Sequence, residues 1–126
     1  MELTKSELEI MNTIWKENRP LTRGEILKSS IDKTCKDSSI HIFLNGLLKK
    51  GAIIEAGFVK TGKTYGRVYA ANISGEEYYC SKILDFCGQN GLPNIFSALI
   101  HCDGVTIELI DQIEAMLADR KKELLK

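Results

Sequence analysis

Eight consecutive residues, Gly57-Phe58-Val59-Lys60-Thr61-Gly62-Lys63-Thr64, satisfy G-x-x-x-x-G-K-[ST], the pattern of a loop that cradles nucleotide phosphates. That chemistry needs a helix directly after the lysine, so that backbone N–H groups and the helix dipole converge on the phosphates. The next residues are Tyr65-Gly66-Arg67-Val68-Tyr69-Ala70-Ala71, a strand pattern. No apolar strand ending in a metal-binding Asp is evident elsewhere. The segment reads instead as the tip of a basic β-hairpin. Lys60, Lys63 and Arg67 are then cations for nucleic-acid phosphates, which supply affinity without sequence information.

A second set of side chains lies just upstream. Ile40, Phe43, Leu44, Leu47 and Leu48 recur at helical spacing and form a buried stripe. The opposite face would carry Ser38, Ser39, His41, Ile42 and Asn45 into a DNA major groove. Asn45 could pair bidentately with adenine, Ile42 could touch a thymine methyl, and Ser39 or the N–H groups of the helix start could hold a phosphate. Lys49 and Lys50 end this helix and join the hairpin bases on the DNA backbone. The face is poor in Arg, the usual guanine reader, so direct readout should favour A·T pairs or be modest. Gly46 costs roughly 1 kcal/mol of helix propensity if it lies mid-helix.

Catalysis and metal chemistry find little support. The only histidines are His41 and His101, and no Asp/His/Ser grouping suggests a relay. Cys35, Cys80, Cys87 and Cys102 form no C-x-x-C and no cysteine–histidine ligand pattern, so neither zinc nor another cofactor is expected. They read as small core residues. The chain is expected not to be an enzyme.

The elements that position these groups can be read along the chain. Thr4-x-x-Glu7 is a capping box opening a helix with Leu8, Ile10, Met11, Ile14 and Trp15 at helical spacing, stopped by Asn18 and Pro20. Thr22-x-x-Glu25 opens a short second helix through about Ser30. Asp37, Ser38 or Ser39 can cap the third, and Gly51 suits its left-handed end. Three helices on short turns form the helix-turn-helix grammar. Ala52 to Val59 and Thr64 to Ile73 then read as two wing strands around Gly62. Ser74-x-x-Glu77 opens a fourth helix through roughly Cys87, with Tyr79, Ile83 and Phe86 along one side. Pro93 starts a short fifth, and Thr106 caps a sixth.

The resulting fold class is mainly α with a small β-hairpin wing. A winged helix-turn-helix domain over residues 1–73 precedes a helical dimerisation region over 74–126. The apolar residues Ile95, Phe96, Leu99, Leu109, Ile110, Ile113, Met116 and Leu117 exceed what such short helices can bury alone, so a second copy is expected to cover them.

Charge agrees with this division. The net charge is zero, yet residues 1–72 hold 12 Lys/Arg against 8 Asp/Glu, and residues 73–126 hold 5 against 9. A local basic focus, not net charge, attracts phosphates. No apolar run approaches the roughly 20 residues of a membrane-spanning helix. The N-terminus lacks the basic start and apolar core of a secretion signal, which points to the cytoplasm.

Over nearly the whole chain, with the wing ending in Tyr69 and the helix pair after Gly91 included, the sequence resembles the penicillinase-repressor family, and two segments carry the resemblance. The first is Leu3-Thr4-x-x-Glu7-Leu8-Glu9-Ile10-Met11-Asn12-x-Ile14-Trp15, and the second is Ser39-Ile40-x-x-x-Leu44-Asn45-x-Leu47-x-Lys49-Lys50-Gly51-x-Ile53. The C-terminal half matches only in pattern. The resemblance implies a homodimeric repressor with an N-terminal winged helix, binding a palindromic double-stranded DNA operator. Some members are inactivated by cleavage in the dimerisation region. The Asn-Phe pair cut there is absent, with Ala98-Leu99 near that position, and Cys102 alone cannot supply the paired cysteines of the copper-sensing branch. Neither mode of induction transfers. The alternative is a winged-helix protein-interaction adaptor with weak or lost DNA binding.

Overall fold

The computed structural model describes residues 1–29 and 39–126. Two compact units divide inside the fourth helix, Met1–Ser81 and Lys82–Lys126. In the first unit α1 spans Lys5–Glu17, β1 Leu21–Thr22, α2 Arg23–Ser29, α3 Ile40–Lys50, β2 Ile53–Thr61 and β3 Thr64–Ala71. The strands form one antiparallel sheet in the order β1-β3-β2.

The local signals act where the sequence places them. Thr4 Oγ1 accepts from the Glu7 N–H at 3.2 Å, and Glu7 Oε1 accepts from the Thr4 N–H at 2.9 Å, closing the first capping box. Thr22 and Glu25 make the same reciprocal pair at 3.2 and 3.0 Å. Asn18 takes a left-handed conformation (φ 54°) to end α1, and Gly51 does so (φ 78°) to end α3. Ser39 departs from expectation. It is the N-cap of α3, but its helical backbone (φ −100°, ψ −15°) leaves its hydroxyl without a capping bond. Asp37 and Ser38 lie outside the described residues.

The core of this unit is Ile10, Met11 and Ile14 from α1, Leu21, Ile26, the α3 residues Ile40, Leu44 and Leu47, then Ala52, Ile53 and Tyr69. α1 and α3 each offer one apolar stripe, and the two meet in one cluster completed by Ala52 and single residues from β1, α2, β2 and β3. The hairpin pairs Thr61 with Thr64 across Gly62-Lys63, and a bulge between Glu55 and Gly57 shifts the register. The strand β1 was not expected. Two residues are too short for a periodic signal, and Leu21 and Thr22 are recruited by Tyr69 and Val68 across the ladder.

The fourth helix, α4, spans Gly75–Cys87. Ser74 Oγ accepts from the Glu77 N–H at 3.0 Å. Its start is held against α1 by aromatic contact. Trp15 meets Tyr78 and Tyr79 with ring centroids 5.9 and 6.1 Å apart, and its indole N–H donates to the Ile73 carbonyl at 2.9 Å. A Cβ on Gly75 would come within 3.3 Å of the Trp15 ring, so the glycine permits this approach. Of the α4 aromatics Tyr78 is buried, while Tyr79 and Phe86, on the side the sequence marks, are exposed. Trp15→Phe should keep the ring packing and lose the indole bond, lowering stability by about 1 kcal/mol. Urea unfolding of the two proteins measures the difference.

In the second unit α5 spans Leu92–Ile100 and α6 spans Ile107–Leu125. Thr106 caps α6, accepting from the Leu109 N–H at 3.1 Å. No residue of α5 or α6 is buried. Phe96, Leu99, Leu109, Met116 and Leu117 are exposed, and Ile95, Ile110 and Ile113 are half-buried. The cysteines do not fill a core as expected. On α4 Cys80 is exposed and Cys87 half-buried, and Cys102, in the turn after α5, is exposed; Cys35 lies outside the described residues. Among the described residues no helix is long and apolar enough to cross a membrane.

Candidate nucleic-acid interface

One face of α3 points away from the core. His41, Ile42, Asn45 and Lys49 are exposed along it, Ile42 at 69 %, and Ser39 at its start is half-buried. The spacing of three to four residues from Ile42 to Asn45 to Lys49 sets one turn of helix between successive side chains. Ser38 lies outside the described residues.

Lys50 has a different position. Its Nζ bonds the Glu7 carboxylate and the Glu2 carbonyl, tying the end of α3 to the start of α1. Glu7 is only 4 % exposed. Burial alone would raise its pKa, but the Lys50 contact and the Thr4 N–H outweigh it and hold the carboxyl below its ordinary value. This cluster also explains Gly46. A Cβ there would lie 2.7 Å from Glu7 Oε2, so the mid-helix glycine makes room for the carboxylate.

On the wing, Lys60 and Lys63 are exposed and carry no ion pair among the described residues. Arg67 is also exposed, and it pairs with Glu55 at 3.1 Å. The register sets Phe58 opposite Arg67 and Lys60 opposite Tyr65. Alternate residues share a face, so two rings and two cations occupy one side of the hairpin. Neither ring was singled out as a site from sequence. The phosphate-loop pattern at Gly57–Thr64 is this hairpin, and Lys63 is followed by β3 where a nucleotide loop needs a helix.

A residue that sequence reading passed over also reaches this surface. Arg23 opens α2, and its Nη1 contacts His41 Nε2 on α3. The two are 18 residues apart, and no local pattern links them.

The sequence profile described as penicillinase repressor matches residues 3–119. The chain belongs to the penicillinase repressor family. A penicillinase repressor of Bacillus licheniformis is 30 % identical over 128 residues, covering 97 % of this chain and 96 % of that one. The matched span runs through α3, the wing and both C-terminal helices. Membership places the chain among DNA-binding transcription regulators of repressor type, which are not an enzyme class. The helices and small antiparallel sheet fit the winged-helix architecture of such regulators.

Proposed function

We propose that this protein represses transcription in the cytoplasm as a homodimer on a palindromic operator. Ser39, at the start of α3, and His41, Ile42 and Asn45 on its outward face meet base edges and adjacent phosphates in the major groove; Ser38, which sequence groups with them, lies outside the described residues. Lys49, Lys60, Lys63 and Arg67 meet the backbone. Lys50, which sequence groups with them, serves the α1–α3 junction in this proposal. The observation that carries the reading is a single compact unit presenting both an exposed helix face and a wing with two lysines that have no ion pair among the described residues. Gel-shift titration against genomic fragments at low salt should give a retarded species, and none at any protein concentration would end the proposal.

The dimer rests on the uncovered apolar faces of α5 and α6, which a two-fold partner would bury. A two-fold pair also presents two α3 helices to half-sites about one DNA turn, roughly 34–36 Å, apart. Sedimentation equilibrium should return twice the chain mass, and Leu117→Arg should shift it toward the monomer. A monomeric wild-type protein would remove the palindrome from the proposal.

The exposed rings Phe58 and Tyr65 and the Arg-poor face of α3 favour one second reading, a winged-helix adaptor that binds another protein. Charge reversal at Lys60 and Lys63 separates the two. An adaptor should keep its partner, and a repressor should lose its operator.

A further inference from the structure

The outward face of α3 has no arginine of its own, yet one reaches it from α2. The Arg23 guanidinium contacts His41, which stands one helical turn before Asn45. Four features of Arg23 set it apart from the other described arginines.

Arg19, Arg67 and Arg120 each pair with a carboxylate, on Glu25, Glu55 and Glu123. Arg23 has no carboxylate partner among the described residues. The nearest acid in its own first turn, Glu25, is already committed, with Oε1 on the Thr22 N–H and Oε2 on Arg19. Its place at the first position of α2 is also electrostatically unfavourable, since a cation there opposes the helix dipole. Among the described residues, local stability therefore gives no reason for a base at this point.

The partner itself is the fourth feature. Arginine carries five N–H donors and no acceptor, so the contact requires the His41 Nε2 lone pair and places the imidazole proton on Nδ1. A neutral imidazole orients the guanidinium without neutralising it. One donor is used, and the remaining fork keeps the geometry that matches guanine O6 and N7.

We propose that Arg23 reads a guanine in the operator's major groove, with His41 as the positioning residue that holds its guanidinium over the α3 face. This rests on the proposed DNA binding. It means that α3 supplies A·T contacts through Asn45 and Ile42, while α2 supplies the G·C contact that α3 lacks.

The test is selection of bound duplexes from a randomised pool, with full-length wild-type protein, Arg23→Ala, Arg23→Lys, His41→Gln, His41→Ala and the Arg23→Ala/His41→Ala pair. Arg23 and His41 are exposed, so all variants should melt with the wild type. The wild type should enrich guanine at one fixed position. Arg23→Ala should lose that preference by about 10- to 100-fold and leave the other positions unchanged. Arg23→Lys should not restore it, because lysine lacks the fork. His41→Ala should weaken the same position, the double variant should be no worse than Arg23→Ala, and His41→Gln should recover part of the preference through its carbonyl acceptor.

Arg23→Ala weakening all duplexes equally, with a shallower salt dependence, would make Arg23 a phosphate contact and overturn the inference. Additive effects of the two alanine variants would overturn the positioning role. A wild-type protein that enriches no duplex would overturn the DNA-binding reading itself, and this inference with it.

Discussion

Lys50→Met should lower the unfolding free energy by about 3 kcal/mol near neutral pH. Removing one partner of a buried ion pair leaves the other charge uncompensated, at a typical cost of about 3–5 kcal/mol. Glu7 is the buried partner here, and the lysine side chain is 35 % exposed, which places the expected loss at the lower end. Glu7 would keep the Thr4 N–H and lose the Lys50 ammonium, its one cationic partner among the described residues. The pH dependence comes from the lowered carboxyl pKa. A carboxylate whose folded pKa lies below its unfolded one stabilises fully above the unfolded value, about 4.3 for glutamate, and loses that contribution as pH falls through the folded value. The gap between wild type and Lys50→Met should therefore be widest near neutrality and close as the pH falls through the lowered folded value. Urea unfolding across that range measures it, and a gap that stays constant into acid would exclude the ion pair as its source. Gly46 gives a sign test of the same cluster. Gly46→Ala gains about 1 kcal/mol of helix propensity but displaces Glu7 Oε2, so it should destabilise the wild type and stabilise a Glu7→Ala background.

The legible part of the sequence was the part that local chemistry determines. The pairs Thr4–Glu7 and Thr22–Glu25 announce helix starts because both partners sit within one turn. Gly51 announces the end of α3 because a left-handed residue is needed there. The hairpin overrode a phosphate-loop pattern because the β-formers Tyr65, Val68 and Tyr69 come after the lysine. The unread parts depend on distant partners. Strand β1 exists only through β3, 46 or more residues away. Lys50 looked like one of a pair of phosphate-binding lysines because nothing near it in sequence shows Glu7, 43 residues earlier. Gly46 looked like a helix defect for the same reason. The contact of Arg23 with His41 needs the angle between α2 and α3, which no periodicity encodes. The burial of Tyr78 on α4 also depends on a distant partner, the Trp15 ring it packs against.

Lys60→Ala/Lys63→Ala should cost the largest factor in DNA affinity, on the order of 10³-fold at about 0.1 M salt for a dimer. Each lysine that neutralises a phosphate contributes about 0.9 to the slope of log K against log salt, and two per protomer give about four contacts. The loss should shrink toward zero as salt approaches about 1 M, and base preferences should not change, because these contacts carry no sequence information. The fold should be untouched, since both side chains are exposed and have no ion-pair partner among the described residues. Fluorescence anisotropy at several salt concentrations reads both the affinity and the slope, and an unchanged slope would remove the wing from the interface. Arg67 is the informative contrast. Its guanidinium is already shared with Glu55 at 3.1 Å, so a phosphate must compete for it. Arg67→Ala should therefore cost less than either lysine. Glu55→Ala should tighten binding, because it frees a cation on the same hairpin face as Lys60. A Glu55→Ala protein that binds more weakly would mean that the ion pair orients Arg67 for its phosphate and does not compete with it.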